Sequence, residues 1–219
     1  MLIVKGEKRS ESFLFLEKVD PIKALWDGET LSFEKASELS GIELNNIRDI
    51  ETLDVFVNQL LGVSRAAQFG EIQSFYFDLE KQKPSRFLSH VEIIANDYKV
   101  SYPAVKALNS NRVLAKLRMA KDQLEVDETN KAIAITKTAL EHVMKSLKAN
   151  MNEAEIEAEY NYILNKNGVE TSFDTIVGSG SNGTILHYVD NNDTINDNEL
   201  VLFDWGVKYN NYCSDISRT

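Results

Sequence analysis

The chain has 219 residues, of which 43% are hydrophobic, and a formal net charge of −10. A chain of this length forms one large or two ordinary domains, and its hydrophobic content is sufficient to bury a core, which argues against disorder. The acidic balance, with lysines and arginines scattered along the chain, argues against nucleic acid or an anionic membrane surface as the main partner.

Three features of the sequence predict a cytoplasmic protein. The single cysteine, Cys213, excludes an internal disulfide and fits a reducing compartment. The N-terminus has no basic segment followed by a long apolar run, so no signal peptide is predicted. No apolar stretch approaches the roughly 18 residues needed to span a bilayer.

The N-terminal part of the sequence predicts a small α/β domain. Apolar runs bounded by polar or turn residues are typical of strands, and apolar residues at intervals of three and four are typical of helices. Ser32 is predicted to cap the first helix. The predicted elements are strands over 1–6, 12–16 and 75–77 and helices over 33–39 and 49–61, the last ending at Gly62.

The C-terminal part predicts two helices followed by strands. Asp122 and Glu125 have the spacing of a capping box, and an apolar stripe predicts a long helix that continues to position 148. A second capping box at 152–155 precedes a helix that ends at the Asn-Gly pair 167–168. His142, on the long helix, and His90 are both predicted to face solvent, and Cys213 is predicted to be a small core residue.

A β-hairpin is predicted over the last twenty residues, with strands over 200–203 and 212–217 and a turn at Asn210-Asn211. Because side chains alternate along a strand, Asp204 and Asp215 on opposite arms then share a face. Adjacent carboxylates repel unless a cation lies between them, and such hard ligands suit Mn, Mg, Co or Zn. The alternative, which the spacing alone favours, is that both aspartates flank a turn and face water.

Three glycines lie between 178 and 183, directly before His187. No Gly-Lys-Ser/Thr follows them, which excludes a P-loop, and no helix start follows them, which argues against a dinucleotide site. We therefore interpret the glycines as allowing tight backbone turns that present His187.

The sequences TIVGSGSNGTILHY at 175–188, LVLFD at 200–204 and YCSDISRT at 212–219 resemble Xaa-Pro aminopeptidase, also called aminopeptidase P. This family consists of dinuclear metallopeptidases with the pita-bread catalytic fold. LWDG at 25–28 resembles the N-terminal domain of the same family. The resemblance implies an α/β (α+β) chain with a partial aminopeptidase P N-terminal domain over 1–115 and the first half of a pita-bread domain over 116–219.

The resemblance also implies the site. Asp204 and Asp215 correspond to ligands of two divalent metal ions, expected to be manganese, and His187 corresponds to a catalytic residue that contacts the substrate. Trp26 corresponds to a tryptophan that contributes to the substrate pocket of a neighbouring subunit, which predicts a homo-oligomer. Phe173 is a departure, because a tyrosine is common at this position in the family.

The implied function is release of the first residue from peptides with proline second. The family completes its site with a histidine and two glutamates further along the chain, together with two more catalytic histidines, and these have no counterpart here. Met1 also corresponds to a position well inside the family's N-terminal domain. We therefore expect the chain alone to be inactive. Two alternatives remain open, namely a prolidase or creatinase-like hydrolase and a non-catalytic pita-bread binding module.

Overall fold

The computed structural model describes residues 1–61, 68–81 and 86–219. These residues form two compact units, Met1–Lys116 and Leu117–Thr219. Both units combine helices with strands, which confirms the predicted α/β class. None of the helices in the three described ranges has the length and apolarity needed to cross a membrane.

The strands of the first unit form two small sheets. In one sheet, β1 (Leu2–Lys5) pairs antiparallel with β2 (Ser10–Leu16), and β2 pairs parallel with β3 (Ile47–Asp49). In the other, β4 (Ser74–Phe77) pairs parallel with β5 (Lys106–Asn109). The three strands predicted in this part of the sequence are therefore confirmed.

The α-helices that lie wholly within the described residues up to position 119 are α1 (Pro21–Asp27), α2 (Phe33–Ser40), α3 (Leu53–Leu61), α4 (His90–Ser101) and α5 (Asn111–Met119). As predicted, Ser32 caps α2, since its hydroxyl accepts a hydrogen bond from the Lys35 amide at 3.2 Å. The helix predicted over 49–61 begins later, because Ile50–Thr52 forms a 3₁₀ turn. Gly62, its predicted end, lies outside the described residues.

Aromatic packing forms the core of the first unit. Alternation along β2 turns Phe13 and Phe15 to the buried face of the strand. The ring of Phe13 lies 4.7 Å from that of Phe56 on α3 and 6.4 Å from that of Phe69. These tilted and edge-on contacts are the arrangements that aromatic rings favour.

The second unit opens with two helices, α6 (Gln123–Ser146) and α7 (Glu153–Lys166). Both predicted capping boxes are confirmed. At the start of α6, the Asp122 carboxylate accepts from the Glu125 amide and the Glu125 carboxylate accepts from the Asp122 amide, each at 2.9 Å. Two backbone donors that helix geometry leaves unpaired are thus satisfied.

Six strands follow, which are β6 (Glu170–Thr171), β7 (Ile176–Ser179), β8 (Val201–Trp205), β9 (Val207–Tyr209), β10 (Tyr212–Cys213) and β11 (Ile216–Arg218). They form two antiparallel sheets, one ordered β10-β9-β6 and the other β11-β8-β7. The predicted hairpin is confirmed, with Asn210 and Asn211 in the left-handed conformation at φ values of 45° and 67°. The break between β8 and β9 at Gly206 divides this hairpin between the two sheets.

Candidate metal centre

Asp204 lies on β8, and the pattern of that strand fixes its environment. Val201, Phe203 and Trp205 are buried, so Asp204 is turned to the opposite, half-buried face. Trp205 stacks on Tyr160 of α7, with ring centroids 4.5 Å apart and planes 6° from parallel. This packing anchors the backbone on either side of the carboxylate, while its Oδ1 accepts a hydrogen bond from Ser217 Oγ at 2.8 Å.

Asp215 is exposed, but the residue before it is buried and fully engaged. Ser214 Oγ accepts from the Val207 amide at 2.8 Å and lies 2.7 Å from Thr136 Oγ1 on α6. Ser172 Oγ donates to the Ser214 carbonyl at 2.9 Å. The backbone that leads into Asp215 is therefore held from three directions.

The pairing register relates the two aspartates. The turn at 210–211 pairs Tyr209 with Tyr212, and the same register pairs Asp204 with Ser217 beyond the break. Asp215 precedes Ser217 by two residues, so it lies diagonally across from Asp204 along the paired strands. This is the register that a two-residue turn gives.

His187 follows the glycine-rich segment that the sequence singles out. Gly180 adopts a left-handed φ of 52° within a 3₁₀ turn, Gly180–Thr184. A Cβ on Gly178 would lie 2.9 Å from the Gly183 nitrogen, so the close approach of these two backbones requires glycine. After the turn, Ile185, Leu186 and His187 are exposed, and Tyr188 returns to the interior.

The structure corrects two predictions about side-chain environment. His142 is half-buried, not solvent-facing, and its Nε2 lies 2.6 Å from Glu159 Oε2 between α6 and α7. Cys213 is exposed, because β10 is a two-residue strand that the core does not cover. His90 is exposed as predicted, and Trp26, on α1 of the first unit, is 82% exposed.

The sequence reading missed Glu153, the first residue of α7, whose carboxylate is fully buried. Acidic residues are common in the first turn of a helix, where they face water and the positive end of the helix dipole. Position 153 therefore has the pattern of a solvated residue. No signal in the sequence distinguishes it from Glu155, which closes the capping box beside it.

The donor chemistry of Asp204 and Asp215 fits a hard divalent cation, because carboxylate oxygens are the ligands such ions prefer. Among the residues that the structure describes, no group of three or more His, Cys, Asp or Glu side chains converges on a common point.

Two domain families match the chain. Metallopeptidase family M24 matches residues 127–219, and the aminopeptidase P N-terminal domain matches residues 1–68.

Individual relatives show the same similarity. Over its full length the chain is 28% identical to Xaa-Pro aminopeptidase of Escherichia coli K12, of which it covers 48%. Over 95% of its length it is 29% identical to human Xaa-Pro aminopeptidase 3, of which it covers 39%. A solved structure from Bacillus anthracis, assigned as an aminopeptidase P, matches with a TM-score of 0.89 at 31% identity, covering 98% of this chain and 50% of that one. The chain spans about half the length of these relatives or less.

Proposed function

We propose that this chain, which matches metallopeptidase family M24 over 127–219 and the aminopeptidase P N-terminal domain over 1–68, serves in releasing the first residue from peptides whose second residue is proline. The observation that carries the proposal is the match of one chain to both domain families. Asp204 on β8 and Asp215, directly before its partner strand β11, support it. The N-terminal domain match favours an aminopeptidase P over other members of family M24.

Asp204 and Asp215 are the residues we propose as metal ligands, with manganese as the ion. Two divalent ions, when bound, supply an activated water and a Lewis acid for the scissile carbonyl. The rigid backing of Asp204 by Trp205 matters for this role, because ligands must be held in a fixed geometry. Ser217 Oγ donates to Asp204 Oδ1, which helps to hold the carboxylate in one orientation.

His187 is proposed to contact the substrate. It is exposed at the end of the glycine-rich segment, so its imidazole is accessible to a bound peptide. An imidazole can donate a hydrogen bond to a carbonyl oxygen as negative charge develops there, which stabilises the transition state.

Trp26 and self-association form a further part of the proposal. The exposed indole on α1 is available to a neighbouring subunit, and aromatic side chains are enriched at interfaces. We place the protein in the cytoplasm, since the exposed thiol of Cys213 suits a reducing compartment.

Two carboxylates are too few to hold a metal pair firmly, because two hard cations with no further protein ligands would be largely water-bound. We therefore propose that efficient cleavage needs ligands additional to Asp204 and Asp215. The 219-residue chain should bind Mn²⁺ weakly and turn over Xaa-Pro peptides slowly or not at all.

The test is a calorimetric Mn²⁺ titration, with an Xaa-Pro cleavage assay alongside. Three proteins are compared: the wild type, the Asp204→Ala/Asp215→Ala variant, and the Asp190→Ala/Asp197→Ala variant. The last loses the same two negative charges elsewhere in the second unit. We expect weak binding in the wild type and the control, and none in the Asp204→Ala/Asp215→Ala protein. Equal binding by all three would refute the ligand assignment, and micromolar binding with turnover would refute the need for further ligands.

A further inference from the structure

One buried charge in the second unit lies outside the proposed metal ligands. Glu153, at the first position of α7, has no solvent exposure. Transferring a carboxylate from water to a protein interior is expensive unless hydrogen bonds replace its hydration. The hydrogen-bond donors around this carboxylate therefore indicate which parts of the chain it holds in place.

Five donors surround the two carboxylate oxygens. Oε1 accepts from the Ser179 amide at 2.7 Å, from Ser179 Oγ at 2.7 Å and from Asn182 Nδ2 at 3.3 Å. Oε2 accepts from Tyr188 OH at 2.6 Å and from the Asp193 amide at 3.0 Å. Burial alone would raise the pKa of this carboxyl, but these bonds outweigh burial and lower it below the usual 4.5, so the group is charged at neutral pH.

The two oxygens divide their donors by position in the chain. Every donor to Oε1 precedes the exposed segment 184–187, and every donor to Oε2 follows it. Asn182 also donates to Tyr188 OH at 3.0 Å and to Asp193 Oδ2 at 3.2 Å, which ties the two sides together directly. One carboxylate thus closes a loop in which His187 is exposed.

We propose that Glu153 is a positioning residue, whose carboxylate clamps both ends of segment 179–193 and so fixes the place from which His187 reaches the substrate. The inference rests on the proposed function only in taking His187 as the group that meets the substrate. The clamp itself is a property of the folded chain. It differs from a general contribution to stability, because it predicts an effect confined to one segment.

The test is NMR and amide hydrogen exchange on the full chain, comparing the wild type with Glu153→Gln at a pH and temperature where both are fully folded. A glutamine of the same size loses the charge, and on either side its NH₂ group meets a backbone amide, of Ser179 or Asp193, that can only donate. We expect the Ser179 and Asp193 amides to exchange about ten- to a hundredfold faster, since a hydrogen bond to a charged acceptor is lost at each. The His187 ring resonances should shift, and those of His90 and His142 should not.

Glu159→Gln is the matched control, because it removes a carboxylate from the same helix that contacts His142 and is not among the groups bonded to the clamp. It should shift the His142 resonances and leave those of His187 in place. If Glu153→Gln leaves the His187 resonances unchanged, or accelerates exchange uniformly through the unit, the residue has only a stabilising role and the proposal is wrong.

A second variant covers the case in which Glu153→Gln fails to fold. Asn182→Ala keeps the carboxylate and its other donors but removes the link between the two sides. It lies five positions from His187, so a shift of that ring reports the clamp and not a neighbouring substitution. An unshifted ring in this variant would overturn the proposal.

The same samples keep this inference separate from the proposed function. Within the described part of the chain, the hydrogen bonds of Glu153 go to segment 179–193 and that of Asp204 goes to Ser217. Glu153→Gln should therefore bind Mn²⁺ as the wild type does. A chain that binds no Mn²⁺ yet shows the local His187 response would retain the clamp and lose the metal assignment. Unchanged His187 resonances in Glu153→Gln, together with normal Mn²⁺ binding, would retain the metal assignment and refute the clamp.

Discussion

In the described residues, residue type determines where the backbone adopts the left-handed conformation. Among the described residues, every non-glycine position with positive φ is an asparagine, and these are Asn150, Asn191, Asn198, Asn210 and Asn211. The short amide side chain hydrogen-bonds locally and lowers the cost of this conformation. The turn at 210–211 could therefore be predicted from sequence. By contrast, the burial of Asn191, which accepts from the Val177 amide at 2.8 Å, could not.

Substitutions at Asn211 test this assignment. Its φ of 67° suits glycine and opposes alanine, whose Cβ approaches the following carbonyl. We expect Asn211→Gly to unfold in urea close to the wild-type midpoint and Asn211→Ala to lose about 1 kcal/mol of unfolding free energy. An alanine variant as stable as the glycine variant would show that the turn does not require this backbone.

At the scale of elements, the break between β8 and β9 depends on glycine, because the backbone at Gly206 closely approaches Ser214 and Ser172. A Cβ on Gly206 would lie 1.9 Å from the Ser214 carbonyl oxygen and 2.2 Å from Ser172 Oγ. The Gly206 carbonyl also accepts from Tyr160 OH at 2.8 Å and from the Ser172 amide at 2.9 Å. These contacts restrict movement of the Gly206 backbone.

Gly206→Ala should therefore lose at least about 3 kcal/mol of unfolding free energy in urea denaturation, since overpacking here meets backbone on one side. Gly168→Ala is the matched control in the same unit. The added Cβ has open space around it, so this variant should lose only the roughly 1 kcal/mol of unfolding free energy that a left-handed φ of 65° costs alanine. Equal losses in the two variants would mean that the contacts at Gly206 relax easily.

Elements were predictable where their determinants are local. The capping residues of α2, α6 and α7 and the turn asparagines act within a few positions of themselves, so their patterns are visible in the sequence. The division of the hairpin at Gly206 depends on Ser172 and Ser214, which approach only after folding. The same holds for Glu153, whose donors lie 26 to 40 positions away.

At the scale of the whole molecule, carboxylates with lowered pKa values occur in both units. In the first, hydrogen bonds from Lys18 and from the Ser89 amide lower the pKa values of Asp49 and Glu92, respectively. In the second, a hydrogen bond from Lys131 lowers the pKa of Glu128, and the clamp bonds lower that of Glu153 against its burial.

A group whose pKa is lower in the folded chain stabilises the fold above its unfolded pKa and loses that contribution as pH falls through its folded pKa. We therefore expect the urea midpoint to be steady above pH 4.5, the ordinary glutamate value, and to fall below it. Glu153→Gln should start from a lower midpoint and fall less steeply in acid. Parallel acid profiles for the two proteins would contradict the charged state of Glu153.

At the scale of the whole molecule, the sequence motifs were the most informative guide to the family. The family resemblance rests on the segments at 175–188, 200–204 and 212–219, and the M24 match over 127–219 includes all three. The placement of Asp204, Asp215 and His187 in the folded chain was not accessible to the sequence, because it depends on packing between segments distant along the chain.

The hydrogen bonds made by the Asn182 side chain depend on an amide group that deamidation can remove. Gly183 follows Asn182, and glycine lacks the side chain that slows attack of the backbone nitrogen on a preceding asparagine amide, so asparagine in an Asn-Gly pair is prone to deamidation. Deamidation would replace an amide donor with a carboxylate at a position 3.3 Å from Glu153 Oε1. The two negative charges would then repel across the junction that now closes the loop, and stored protein would lose the order of His187 with no change in its gene.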